Sequence, residues 1–198
     1  RMCSDRDLET LSAERVWQEF AKALAAPNPG RVFEVLEACG GLTYWLPECA
    51  GLSLGSIPMH HSDPAARFAL LPISAKGLAA ILARLRGPNR YAQLAADRHA
   101  HLSMLEQWPM VEPKEFHRML DQLRVIHVEE RLQQLVDLIP ATAIRQRLMA
   151  ELPALVAQLR QISLSAEEAK ALHGAAYGAR LTERRQAHLA HYLLDKQK

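Results

Sequence analysis

Residues 11–48, LSAERVWQEFAKALAAPNPGRVFEVLEACGGLTYWLPE, set the terms for the fold, because helical spacing and helix punctuation coincide there. Val16, Phe20 and Leu24 recur at intervals of four with Trp17 beside them, while Glu14, Arg15, Gln18, Glu19 and Lys22 fall on the other face. Ser12 is placed to cap this helix, and Glu14 lies in its first turn, where a carboxylate suits the helix dipole. Asn28-Pro29 opens a second helix with the stripe Val32, Leu36 and Cys39, which Gly40-Gly41 ends through a left-handed residue. A short third helix carries Leu42, Trp45 and Leu46, and Pro47 closes it.

The same pattern continues. Residues 49–62 (CAGLSLGSIPMHHS) read as a linker. Asp63-Pro64 caps a short helix that Pro72 ends, and Ser74 caps another, buried through Leu78, Ile81, Leu82 and Leu85, that Gly87-Pro88 stops. Amphipathic segments follow over Tyr91–Leu105, from Glu112-Pro113, over 128–139, and from Ile144 to Leu155, the last kinked or divided by Pro153. Ser165 and Glu168 form a capping-box pattern, Gly174 and Gly178 bracket a turn, and Thr182 caps a closing helix. No strand-like alternation of useful length occurs. The fold class expected is all-α and elongated, with a neck over 1–50, a helical body over 51–140 and tail helices over 141–198.

The 198 residues suffice for one large or two small helical domains with a core. With 49% hydrophobic and 23% charged residues the chain is globular. No apolar run approaches the ~20 residues of a membrane span. The charged start RMCSDRDLET is unlike a signal peptide, and Cys3, Cys39 and Cys49 show no paired spacing, so reduced thiols and a cytoplasmic location are expected. A start on Arg1 rather than Met suggests a piece of a longer chain. Net charge is only +2, so nucleic-acid binding requires uneven placement of the 24 basic residues.

Few residues offer chemistry. His60-His61 and the pair His99 and His101 do not converge on one metal, since positions i and i+2 of a helix face apart. There is no GxSxG, GxxxxGK[ST] or GxGxxG, and Cys39 lies on an apolar stripe. Basic side chains remain: Arg84, Arg86 and Arg90 around one helix end, and Arg180, Arg184, Arg185, His188 and Lys196 in the last segment. A solvated surface face is the plain alternative for each patch.

The wording of LSAERVWQEFAKAL, then Asn28-Pro29, then a helix ending in Gly41-Leu42, then Leu46-Pro47-Glu48, resembles the neck of bacterial class II CCA-adding tRNA nucleotidyltransferases. Poly(A) polymerases share a looser version. The resemblance is closest over 1–50, looser over 51–105 and 175–198, and over 106–174 extends only to helices. It implies a parent enzyme adding C, C and A to tRNA from CTP and ATP with Mg²⁺ held on head carboxylates that precede this stretch. No cofactor is then expected in this chain.

It also implies that Glu14, Arg15 and Glu19 brace the neck without performing chemistry. The body would descend from an HD phosphohydrolase: Pro72-Ile73-Ser74-Ala75-Lys76-Gly77 keeps the Lys-Gly ending but lacks the His-Asp dyad, so hydrolysis is not expected. RNA contacts are assigned on the same resemblance to Arg84, Arg86, Arg90, Arg180, Arg184, Arg185, His188 and Lys196, gripping phosphates of the acceptor and TΨC arms. Choice among CCA-adding, A-adding and poly(A) activity resides in motifs outside this sequence. The competing reading is a diverged helical module that binds a protein or a second copy of itself.

Overall fold

The computed structural model describes residues 10–51, 61–140 and 142–197. Among these, every regular element is helical. The chain divides into two compact units, residues 1–100 and 101–198.

In the first unit, α1 (Ala13–Ala25) begins where the Ser12 hydroxyl accepts from the Arg15 amide. Helix α2 (Arg31–Ala38) ends at Gly40, whose φ of +75° only glycine adopts without strain, and α3 (Gly41–Trp45) follows at once. Pro47 stops α3 and opens a 3₁₀ turn, Pro47–Cys49. Asp63 caps α4 (Pro64–Ala69) and Ser74 caps α5 (Ala75–Leu85), both through their side chains. Helix α6 (Asn89–Glu106) contains the division between the units.

Helix α1 packs on α2, α4 and α5. The seam is aromatic: Trp17 meets Phe20, Phe68 and Tyr91 edge to face, with centroids 6.0, 5.8 and 4.7 Å away, and Phe20 meets Phe33 at 5.8 Å. The wording that marked the neck therefore also supplies the core of this unit.

One stop signal is displaced. Gly87 was the expected end of α5, yet the left-handed residue is Arg86, at φ +54°. A Cβ on Gly87 would stand 2.4 Å from Leu82 Cδ2 and 3.2 Å from the Trp17 ring. Glycine is used there for close approach to Trp17, and the strained backbone position falls on its neighbour.

In the second unit, α7 (Pro113–Gln122) starts at Glu112, α8 is Glu130–Leu138, and α9 (Ala143–Gln161) starts at Thr142. Helix α9 runs through Pro153 unbroken, held by the buried row Leu148, Leu152, Leu155, Val156 and Leu159. Ser165 and Glu168 complete both halves of the capping box on α10 (Ala166–Ala171). The closing helix α11 spans Gly174–Lys196, so Thr182 caps nothing and Gly178 lies inside the helix. Packing of α11 on α7, with Leu189 and Leu193 buried, outweighs the ~1 kcal/mol that an interior glycine costs.

Candidate nucleic-acid interface

The expected basic residues form two groups, one in each unit. In the first, Arg84 is structural in its contacts: it forks onto Glu48 at 2.9 and 2.5 Å and donates to the Trp45 carbonyl at 3.0 Å. This joins α5 to the 3₁₀ turn, and the guanidinium holds the Glu48 carboxyl below the ordinary carboxylate range. The neighbouring Cys49 thiol is pushed up to about 12 by burial, which makes it a poor nucleophile at neutral pH.

Arg86 and Arg90 differ from Arg84. Their side chains are 72% and 62% exposed, and each meets one surface carboxylate, Glu14 at 2.5 Å and Asp63 at 3.0 Å. Arg90 also lies 5.1 Å from the Tyr91 ring centroid. Its own backbone and the Arg86 guanidinium hold the Glu14 carboxyl below its ordinary value. Glu14 thus ties α1 to the end of α5. Glu19 pairs with Lys22 one turn along the same helix, and Arg15 lies on that exposed face.

In the second unit, Glu168 is a hub whose sequence signal is only that of half a cap. Its carboxylate accepts from the Ser165 amide at 3.1 Å, Arg180 Nε at 3.0 Å and Arg184 at 2.5 Å. Arg184 also donates to the Ser163 carbonyl at 2.9 Å. Arg180 and Arg184, one turn apart on α11, therefore clamp α10. The Ser165 backbone amide first, and then Arg180, bring the Glu168 carboxyl down to about 2.

A folded value below the unfolded one means that this network stabilises the fold above the ordinary carboxylate range and loses its effect as pH falls from about 4.5 towards about 2. The Tm of the parent should exceed that of E168Q at neutral pH, and the gap should close over that interval. A gap independent of pH would contradict this role for Glu168.

Arg185 donates through Nε to the Leu159 carbonyl at 3.2 Å, and His188 Nε2 lies 2.9 Å from Gln158 Oε1. Lys196 lies 3.4 Å from Glu151 and 5.4 Å from the Tyr192 ring centroid. Glu151 is a second unanticipated hub, accepting from Trp108 Nε1 at 2.8 Å and Arg147 Nε at 3.0 Å. Burial pushes its carboxyl up, but these donors outweigh that and hold it below the ordinary range. Neither hub shows in the sequence, because Arg180 and Arg184 on the one, and Trp108 and Lys196 on the other, come from distant parts of the chain.

Of the histidines weighed and set aside as metal ligands, His60 lies outside the described residues. His99 is engaged with two backbone carbonyls, Ala95 at 2.9 Å and Ile73 at 3.1 Å. Among the described residues no three His, Cys, Asp or Glu side chains are grouped to hold a metal ion. Nor is any described helix long and apolar enough to cross a membrane.

Residues 1–52, which include α1 to α3, match a family model described as "Probable RNA and SrmB- binding site of polymerase A". The multifunctional CCA protein of Methylobacillus flagellatus is 53% identical over 47 residues, covering 24% of this chain and 11% of that protein. That of Methylococcus capsulatus is 37% identical over 92 residues, covering 36% and 22%. The CCA-adding enzyme of Coxiella burnetii is 27% identical over 201 residues, covering 93% of this chain and 51% of that enzyme.

The chain is related to the CCA-adding tRNA nucleotidyltransferases.

The matched stretches span 11% to 51% of the lengths of these three relatives. The family model covers the stretch where α1 to α3 lie, and the alignment with the Coxiella burnetii enzyme takes in most of the chain. No solved structure gives a significant match.

Proposed function

We propose that this chain is the neck, body and tail part of a CCA-adding tRNA nucleotidyltransferase, and that it binds the tRNA phosphate backbone while nucleotidyl transfer is performed elsewhere in the enzyme. The observation that carries the reading is the coincidence of the RNA-binding family match over 1–52 with α1–α3, beside which the two exposed arginines Arg86 and Arg90 emerge. Exposed ion pairs contribute about 0–1 kcal/mol, so exchanging Glu14 or Asp63 for a phosphate costs little. Recognition would rest on shape and phosphates and not on base edges, as suits a folded RNA. On this reading Mg²⁺, ATP and CTP belong to the transfer step.

Charge reversal of Arg184 and Arg185 is a poor test, since Arg184 clamps α10 and Arg185 holds the Leu159 carbonyl. Arg86 and Arg90 are better placed. Fluorescence anisotropy with tRNA at low salt should show binding that weakens steeply as salt rises, and R86E/R90E should weaken it at least tenfold. Absence of binding to the parent chain at low salt overturns the proposal.

One observation favours the second reading, a module for a protein partner. An apolar groove of about 240 Å³ is lined by Leu11, Val16, Phe20, Val32, Leu36 and Leu46 in the first unit. The indole Nε1 of Trp45, another lining residue, is buried there without a hydrogen-bond partner among the described residues. Self-association in sedimentation, lost on L36E and accompanied by no tRNA binding, would favour that reading.

A further inference from the structure

The second unit holds a polar pocket of about 210 Å³, lined by Leu120, Asp121, Arg124, Ile126, His127 and Arg185. We infer that it is an oxyanion site that takes one phosphate group of the bound RNA backbone between the guanidinium groups of Arg124 and Arg185. Its assignment to RNA, as opposed to free phosphate, rests on the tRNA-binding function proposed above.

The pocket is built by the turn that ends α7. There the Arg124 amide donates to the Asp121 carbonyl and the Val125 amide to the Leu120 carbonyl, each at 2.9 Å, so the exposed carbonyls of the helix end are satisfied internally. The same closure puts Arg124 at φ +57°, a conformation that favours glycine. Nothing in the turn itself requires arginine. From beneath, Arg160 on α9 fixes the backbone, donating to the Ile126 carbonyl at 2.7 Å and to the Val125 carbonyl at 3.0 Å, and pairing with Glu129 at 2.6 Å.

Arg185 is fixed by its single bond from Nε to the Leu159 carbonyl, and among the described residues its two terminal nitrogens have no protein partner. Arg124 is exposed and, among the described residues, has no carboxylate partner. Asp121 is the one acid in the lining, and it meets His117 Nδ1 at 3.1 Å. His117 is buried, and burial lowers its pKa, so it stays uncharged near neutrality. Two guanidinium groups against one carboxylate leave the pocket positive. Guanidinium groups match the geometry of phosphate oxygens, and here their supports are already ordered before any ligand arrives.

The strained backbone supplies a test that separates binding from folding. Glycine is at ease at φ +57°, so R124G should unfold at the same or a higher temperature than the parent. With the whole 198-residue chain and tRNA, R124G should nevertheless raise Kd by about tenfold and lower the slope of log K against log salt by about one. R124Q should show the same loss, and R124K should restore most of the slope.

An unchanged Kd and slope in R124G and R124Q, beside a parent that binds tRNA, overturns the pocket and leaves the RNA reading standing. A parent that binds no tRNA overturns that reading, and inorganic phosphate then decides the pocket by amide chemical shifts. Shifts at residues 121–127 that vanish in R124G support a site for free phosphate; no shifts overturn it.

Discussion

Phe68→Ala is expected to destabilise the first unit by about 3–5 kcal/mol. Phe68 is fully buried and stands edge to face against Trp17 at 5.8 Å, Phe20 at 6.4 Å and Tyr91 at 5.8 Å. Truncation removes the ring from the centre of the seam joining α1 to α4 and α6. The neighbours that would have to close the gap, Trp17, Phe20 and Tyr91, are themselves large and buried, so relaxation is limited. Hydrogen exchange should show amides of α1 and α4 losing protection. F68L, which keeps most of the volume, should cost well under half as much. Equal protection in F68A and the parent would show that the seam does not hold this unit together.

Arg67→Ala is expected to cost on the order of 3 kcal/mol, through a different mechanism. Arg67 is 4% exposed, and its Nη1 donates to the Leu24 carbonyl at 2.5 Å and the Ala26 carbonyl at 2.6 Å. These carbonyls belong to the end of α1, where helical partners run out. Alanine would leave both without that donor, one of them in the buried interior, whereas R67K keeps a charge that can satisfy only part of the pair. Thermal unfolding should rank the chains parent, R67K, R67A. An R67A protein as stable as the parent would mean that water replaces the guanidinium without loss. On the proposed tRNA-binding function, both substitutions should weaken tRNA binding by loosening α1, whereas R124G should weaken it with the fold intact.

Where a side chain caps the helix its start was legible, because cap chemistry is local; α11, which starts at Gly174 without a side-chain cap and not at Thr182, was the exception. Ser12, Asp63, Ser74 and Ser165 each bond to an amide two or three residues on, and at Asp63 the cap persists although the same oxygen also accepts from Arg90. Stops were less legible. The glycine at 87 serves packing against Trp17 and displaces the left-handed residue to Arg86, while Gly178 is carried inside α11 by contacts with α7. A local rule reads glycine as a stop, but long-range packing decides whether the stop is used.

The candidate site divides in the same way. Its basic residues stand out in the sequence, but their employment does not. Arg84, Arg180 and Arg184 are drawn onto Glu48 and Glu168, whereas Arg86 and Arg90 stay largely in solvent. Arg124 and His127 carry no sequence signal at all, since nothing in their spacing separates them from an ordinary solvated helix end.

By itself, then, the sequence determined an all-α chain, the capped starts of α1, α4, α5 and α10 and a kinship with the CCA-adding enzymes, all of which rest on short-range periodicity and wording. Only the tertiary structure decided which cations brace the fold and which face solvent. The physical reason is that a guanidinium is assigned by the carboxylates and carbonyls folding brings within about 3 Å, and those partners come from distant parts of the chain.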